Sequence, residues 1–203
     1  AGNVTWINVL APTAANPNLK WETTTTYNVG IDYGFLNGRI TGSLDGYIRK
    51  TKDLINAEVN VPAGTDFAEY VVSNIGSLEN KGVEFSINTR PIVSRDFSWD
   101  LGFNIAYNKT KITELTYNDN SDSPGKRFES TGGDGGLRLK IHSVGYAPGT
   151  FYVFQQVYDA DGNPIEGEYV DRNGDGVITD NDLYRYKKPT ADVLMGFNSK
   201  FTY

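Results

Sequence analysis

The sequence predicts an all-β chain, a portion of an antiparallel β-barrel that crosses a membrane, and three observations predict it. Apolar and polar residues alternate at period two over long stretches. The apolar faces of those stretches carry aromatic residues near their ends, where the two interfaces of a bilayer favour Tyr and Trp. The connections between stretches run short, long, short, long, which matches barrels with tight turns on one side and long loops on the other.

Five strands follow from the alternation. In the first, about 22–36, Tyr27, Val29, Ile31, Tyr33 and Phe35 share one face, and Asn28, Gly30, Asp32 and Gly34 the other. Leu36-Asn37-Gly38 is a tight turn, because Asn-Gly accepts positive φ. The second strand, about 39–54, sets Ile40, Gly42, Leu44, Gly46 and Ile48 against Thr41, Ser43, Asp45, Tyr47 and Arg49. A connection over about 55–80 leads to the third, 81–90, with Val83, Phe85 and Ile87 opposite Glu84, Ser86 and Asn88. After a reversal at 91–96 the fourth, 97–111, carries Trp99, Leu101, Phe103, Ile105 and Tyr107 on its apolar face. A loop over about 112–190 precedes the fifth, 191–203. Five strands cannot close, since the smallest single-chain barrels use about eight. A soluble antiparallel sandwich also alternates, and it stands as the competing architecture.

Composition bounds the function classes. The 203 residues include 13 Tyr, 10 Phe, 22 Gly and a single Met, a profile of strands and turns. No Cys is present, so neither disulfide nor thiolate metal site is available. Net charge is -6 with Lys and Arg scattered among Asp and Glu, so the sequence shows no basic stripe for nucleic acid. No apolar run approaches the ~18 residues of a membrane helix, but barrel strands average to near neutrality and escape that test.

The strongest chemical motif is Asp171-Arg172-Asn173-Gly174-Asp175-Gly176-Val177-Ile178-Thr179-Asp180-Asn181-Asp182. Oxygen donors at positions one, three and five, Gly at six and a carboxylate at twelve fit a Ca²⁺ loop. The ligand set is Asp171, Asn173, Asp175, the Val177 carbonyl and Asp182, with Ile178 pointing inward as an anchor and the ion structural. An ion-free, Asx- and Gly-rich surface turn is the other reading.

Other constellations are weaker. His142 is the sole histidine and reads as a surface loop residue without a triad. Gly132-Gly133-Asp134-Gly135-Gly136 lacks the ending of a phosphate-binding loop and reads as flexible. Asp32 and Asp45 lie on the polar face of neighbouring strands, placed like a glycosidase pair or simply lining a polar lumen. Tyr146, Phe151, Tyr152, Phe154 and Tyr158 either stack on sugar rings or pack the loop's own core.

Three words in the chain carry a resemblance: Asn16-Pro17-Asn18-Leu19-Lys20-Trp21-Glu22, Tyr47 through Ile55, and Asn74-Ile75-Gly76-Ser77-Leu78-Glu79-Asn80-Lys81-Gly82-Val83-Glu84-Phe85. With the stretch from Val144-Gly145-Tyr146-Ala147-Pro148-Gly149 onward, they resemble the C-terminal barrel region of SusC/RagA-type TonB-dependent transporters, from about Asn16 to Tyr203. The resemblance implies about five strands of a ~22-stranded, plugged barrel in the outer membrane of a Gram-negative bacterium. It implies that residues 1–203 lack the plug domain and the TonB-binding segment, which are expected elsewhere in the protein. It further implies import of an oligosaccharide or peptide beneath a SusD-like surface lipoprotein lid, energised through TonB, and no enzymatic activity. The competing function is a soluble, calcium-stabilised β-sandwich that binds carbohydrate. In the barrel reading Lys50 and Lys187 lie outside the cell, and Arg39 and Arg95 at the periplasmic side.

Overall fold

A computed structural model describes residues 14–60, 70–116, 125–130 and 138–203. Four long strands come first: β1 (Thr23–Phe35), β2 (Ile40–Asn60), β3 (Tyr70–Val93) and β4 (Ser98–Leu115). Six short ones come next: β5 (Lys126–Ser130), β6 (Arg138–His142), β7 (Thr150–Val153), β8 (Gln156–Tyr158), β9 (Pro164–Tyr169) and β10 (Tyr184–Arg185). The last is β11 (Val193–Thr202). The long strands form one antiparallel sheet in the order β1-β2-β3-β4-β11.

The register gathers side chains into rows, because directly opposed residues point to the same face. On one face the rows read Val29–Gly46–Val83–Tyr107–Val193, then Ile31–Leu44–Phe85–Ile105–Met195, then Tyr33–Gly42–Ile87–Phe103–Phe197. Phe35–Ile40–Thr89–Leu101–Ser199 is the next row, and Trp99 opposite Phe201 closes the band with rings stacked 5.4 Å apart. The other face carries Asp45 opposite Glu84, Ser43 opposite Ser86 and Asn104 opposite Gly196. One face is apolar across every strand and the other polar.

Among the described residues no second sheet covers the apolar face. The buried apolar residues among those described are Ile112, Ile141, Tyr152 and Leu183, and only Ile112 belongs to the large sheet. Val29, Met195 and Phe197 stay 76%, 69% and 71% exposed. A soluble sandwich buries this face against its partner sheet, so the sandwich alternative is overturned. A transmembrane wall leaves it to lipid.

Three strands are longer than the sequence reading, the fourth reaching Leu115 instead of 111. The third strand, expected over 81–90, runs Tyr70–Val93, and the second continues to Asn60. The expected connection over 55–80 therefore shrinks to 61–69, which lies outside the described residues. Bulges explain the misreading: the β2–β3 register shifts between Thr51 and Leu54, where Asp53 takes φ 56, and again between Asn56 and Val59. Each extra residue flips the alternation, so period two disappears while the backbone stays paired.

The β1–β2 turn is as tight as Asn-Gly predicts. Leu36, Asn37 and Gly38 all take positive φ (54, 54 and 80), and Arg39 N donates to Leu36 O at 3.2 Å. Asn and Gly tolerate that region, whereas Leu36 bears a steric cost.

The three family words touch one another. Asn74 Nδ2 donates to Lys20 O (2.8 Å) and Asp53 O (2.7 Å), and its Oδ1 accepts from Lys20 N (2.9 Å). Glu22 accepts from Ile55 N at 2.8 Å, and Asn16 Nδ2 donates to Val72 O at 3.2 Å. Backbone groups left unpaired by the bulges thus find side-chain partners.

The 112–190 stretch is built rather than irregular. Strands β10-β7-β6-β5 form a small sheet, and β8–β9 a hairpin. Ile141, Tyr152 and Leu183 make its core, with Phe154 packed against them. Because β4 leaves the large sheet upward and β11 re-enters beside it, this subdomain sits at the end away from the tight turns.

Candidate functional site

The Asp-rich segment hangs between the hairpin and β10, held from both ends. Val170 N donates to Gln155 O at 2.9 Å, and Leu183 anchors the far end in the core. Gly174 and Gly176, with φ +75 and +80, supply two left-handed corners.

Inside the loop each motif carboxylate closes a backbone turn. Asp171 accepts from Gly174 N (2.6 Å) with Oδ1 and from Gly176 N (2.7 Å) with Oδ2. Asn173 Oδ1 accepts from Asp175 N (3.0 Å), Asp175 Oδ1 accepts from Val177 N (2.8 Å), and Asn173 Nδ2 donates to Asp175 Oδ2 (2.9 Å). Asp182 reaches back across the loop: Oδ1 accepts from Arg172 N (2.8 Å) and Asn173 N (3.4 Å), Oδ2 from Thr179 N (2.8 Å). Thr179 caps a single 3-10 turn over Asp180–Asp182, and Thr179 and Asp182 complete a capping box.

Asp182 is fully buried, yet its carboxyl is held below the usual carboxylate range. The Thr179 N–H is the largest cause, burial opposes it, and the N–H groups of Arg172 and Asn173 and the Asp171 side chain add to the lowering. Asp182 is therefore ionised at neutral pH.

Among the described residues no three His, Cys, Asp or Glu side chains form a metal-ligating cluster. An ion held here would depend on neutral oxygens, those of the Asn173 amide and the Val177 carbonyl, beside the carboxylates. Ile178, expected to point inward, is 40% exposed instead. Leu183 fills the core, and it is Asp182, one residue earlier, that ties the loop down.

Three arginines lie around this loop. Arg127 pairs with Asp180 (2.7 Å), Arg172 bonds Gln155 Oε1 (2.6 Å) and lies 4.6 Å over Tyr184. Arg185 donates to Ser143 Oγ (2.9 Å) and lies 4.8 Å over Tyr146. Arg127 comes from β5, so only the fold brings it here, whereas Arg172 lies inside the motif and Arg185 just beyond it on β10. A second turn, Asp159–Asn163, repeats the device. Asp159 accepts from Asn163 N at 2.8 Å, the main cause of its lowered pKa.

The loop aromatics divide. Tyr152 and Phe154 pack the core, and Tyr158 is 60% exposed. His142 lies on β6 rather than in a surface loop, its ring stacked 4.0 Å from Phe128. The glycine run 132–136 lies outside the described residues.

On the polar wall Asp32 stands opposite Ser43, and Asp45 opposite Gly30 and Glu84, so Asp32 and Asp45 are diagonal rather than facing. Tyr47 lies across Gly82 and its hydroxyl meets Asn108 Oδ1. Asn88 and Asn198 flank Gly102 in the same way. The wall is mostly neutral amide and hydroxyl.

Comparison with known proteins places this arrangement. The family described as TonB dependent receptor-like, beta-barrel, matches residues 3–195. TonB-dependent receptor SusC of Bacteroides thetaiotaomicron is 54% identical over 199 residues, covering 98% of this chain and 20% of SusC. TonB-dependent receptor P26 of Formosa agariphila is 34% identical, covering 93% of this chain and 20% of that protein. The solved RagAB peptide transporter superposes with a TM-score of 0.70 at 24% identity, over 95% of this chain and 21% of that one, and supports the fold. The chain spans about a fifth of the length of these relatives. With its two-faced sheet and its unequal connections, the chain belongs to the TonB-dependent receptor β-barrel family and forms part of the wall of an outer-membrane barrel of a Gram-negative bacterium.

Proposed function

We propose that the complete protein imports a nutrient, an oligosaccharide or a peptide, across the outer membrane by TonB-coupled transport, beneath a SusD-like surface lipoprotein. The 54% identity to SusC over nearly the whole chain carries this reading. The polar inner face, amide and hydroxyl side chains with the carboxylates of Asp32, Asp45 and Glu84 among them, supports it, because a hydrogen-bonding solute finds donors and acceptors along such a wall. In this reading Asp32, Asp45 and Glu84 give the lumen polarity and do no catalysis.

The test uses the full-length protein in its own outer membrane. Uptake of labelled oligosaccharide and labelled peptide mixtures is measured with and without a protonophore, beside a strain deleted for the gene. Energy-dependent uptake of one class, lost on deletion, is expected. Unchanged uptake of both classes on deletion would refute the proposal.

The same reading gives Ca²⁺ a structural place among Asp171, Asn173, Asp175, Val177 and Asp182. Its support is the donor set itself: the side-chain oxygens of Asp171, Asn173, Asp175 and Asp182 are gathered by one loop with glycine corners at 174 and 176. Calorimetry on the intact protein is expected to show Ca²⁺ binding that D171A weakens. Absence of any binding heat, with chelator leaving loop proteolysis unchanged, sinks the assignment.

A further inference from the structure

The apolar band ends abruptly toward the long loops, and the adjoining rows on the same face are basic. Opposite Ile48, Lys81 faces Lys109 directly across β3 and β4. One row further, Lys50 and Lys111 flank Glu79, and Lys52 stands opposite Thr23 beyond them. The five lysines come from three strands and sit on the lipid-facing side of the sheet. In the sequence they are scattered; the register makes them a patch.

Their own charges do not compensate them. Glu79, with only 11% of its side chain exposed, lies within 3.9 Å of Lys50, 3.1 Å of Lys81 and 3.4 Å of Lys111, so one carboxylate serves three ammonium groups. Glu114, bonded to Ser77 Oγ at 3.2 Å, lies at the outer margin. Lys52 and Lys109 are exposed, and no ion pair to either is found among the described residues. Like charges directly opposed on a sheet are unfavourable, so the Lys81–Lys109 pair favours an external anion. A shallow cavity of about 310 Å³ opens beside Lys50, Lys52 and Glu79.

Height decides which anion. Tyr27 and Tyr107, 66% and 45% exposed, stand at the upper edge of the apolar rows, where aromatic side chains meet the headgroup layer. Lys81 and Lys109 share the row of Tyr27, Lys50 and Lys111 lie one row above it and Lys52 two. The long loops mark the extracellular end of such barrels, so this layer belongs to the outer leaflet. The opposite end supplies a contrast. There the outward rows hold Phe35, Ile40, Trp99 and Phe201; Arg90 is paired with Asp100 at 2.7 Å, and Arg39 donates to the Arg90 carbonyl at 3.0 Å.

We propose that Lys50, Lys52, Lys81, Lys109 and Lys111 form a docking surface for the phosphorylated headgroup of an outer-leaflet glycolipid of the lipid A class. The acyl chains continue down the apolar rows below, and the ammonium groups meet the phosphates. The site depends on the barrel's place in the outer membrane and not on what the barrel imports.

The test uses the full-length protein in phosphatidylcholine nanodiscs doped with lipid A or with its dephosphorylated counterpart. Wild type is expected to bind phosphorylated lipid A, and the triple variant K81Q/K109Q/K111Q to bind it roughly a hundredfold more weakly, at about fivefold per lysine. K200Q, on the polar face, is expected to bind as wild type does. Heat-modifiable gel mobility verifies that each variant has folded. If the triple variant does not fold, the comparison of the two lipids on wild type decides alone. Equal binding of phosphorylated and dephosphorylated lipid, or equal binding by the folded triple variant and wild type, overturns the proposal.

Discussion

Neighbouring residues of β4 offer the sharpest test of the wall. Phe103 sits in the central apolar row between Ile87 and Phe197, and Asn104, the next residue, faces the lumen between Ser86 and Gly196. A cation at the bilayer midplane on the lipid face of a barrel costs about 2–4 kcal/mol, and a lumen position is spared that penalty. F103K is therefore expected to shift the folding equilibrium by roughly thirty- to seven-hundredfold. F103L controls for the lost ring, and N104K for the added charge. The assay is urea titration of the full-length protein in liposomes, read by heat-modifiable mobility. Equal destabilisation by F103K and N104K, or none from F103K, would show that the face assignment is wrong.

The outer subdomain gives three further expectations. Ile141 is wholly buried in its small core, so I141A is expected to cost about 2–5 kcal/mol of local stability and to raise proteolysis within 138–190, with barrel mobility unchanged. Equal protection in I141A and wild type would mean the subdomain does not depend on that core. Asp159 and Asp182 have pKa values lowered in the fold, so their contribution is present above the unfolded aspartate value of ~3.9 and lost only as pH falls through the lower folded values. Amide exchange at Thr179 and Asn163 is expected to stay protected down to about pH 4; loss of protection already near pH 5 contradicts this. The chain has no Cys, so K187C and R95C can report topology: an impermeant maleimide on intact cells should label the exposed position 187 and leave 95 unlabelled.

How much of this was legible in the sequence varies with what each face meets. From Tyr27 to Ile48 and from Trp99 to Tyr107, lipid on one side and water on the other force strict alternation, and the strands could be read directly. Above the bilayer both faces of β2 and β3 meet water, and the bulges near Asp53 and Gly76 reset the phase, so residues 55–60 and 70–80 gave no strand signal. The outer sheet stayed hidden because its strands run from two to six residues, too short for periodicity. The Asp-rich motif was visible because turn chemistry is local. The inward role given to Ile178 failed because the anchoring is done by Asp182 through backbone amides ten positions away. The lysine patch needed the register itself, since no sequence window contains it.

The length of the central strands has a consequence for anything approaching the barrel. Crossing the bilayer takes about 9–11 residues of strand, and β2 and β3 have 21 and 24. The surplus stands above the lipid as a palisade roughly 25–30 Å tall at the usual tilt. The outer subdomain is tied to β4 by the bridge between Ile112 and Val144. Anything approaching from outside thus meets this part of the wall well before it is level with the membrane.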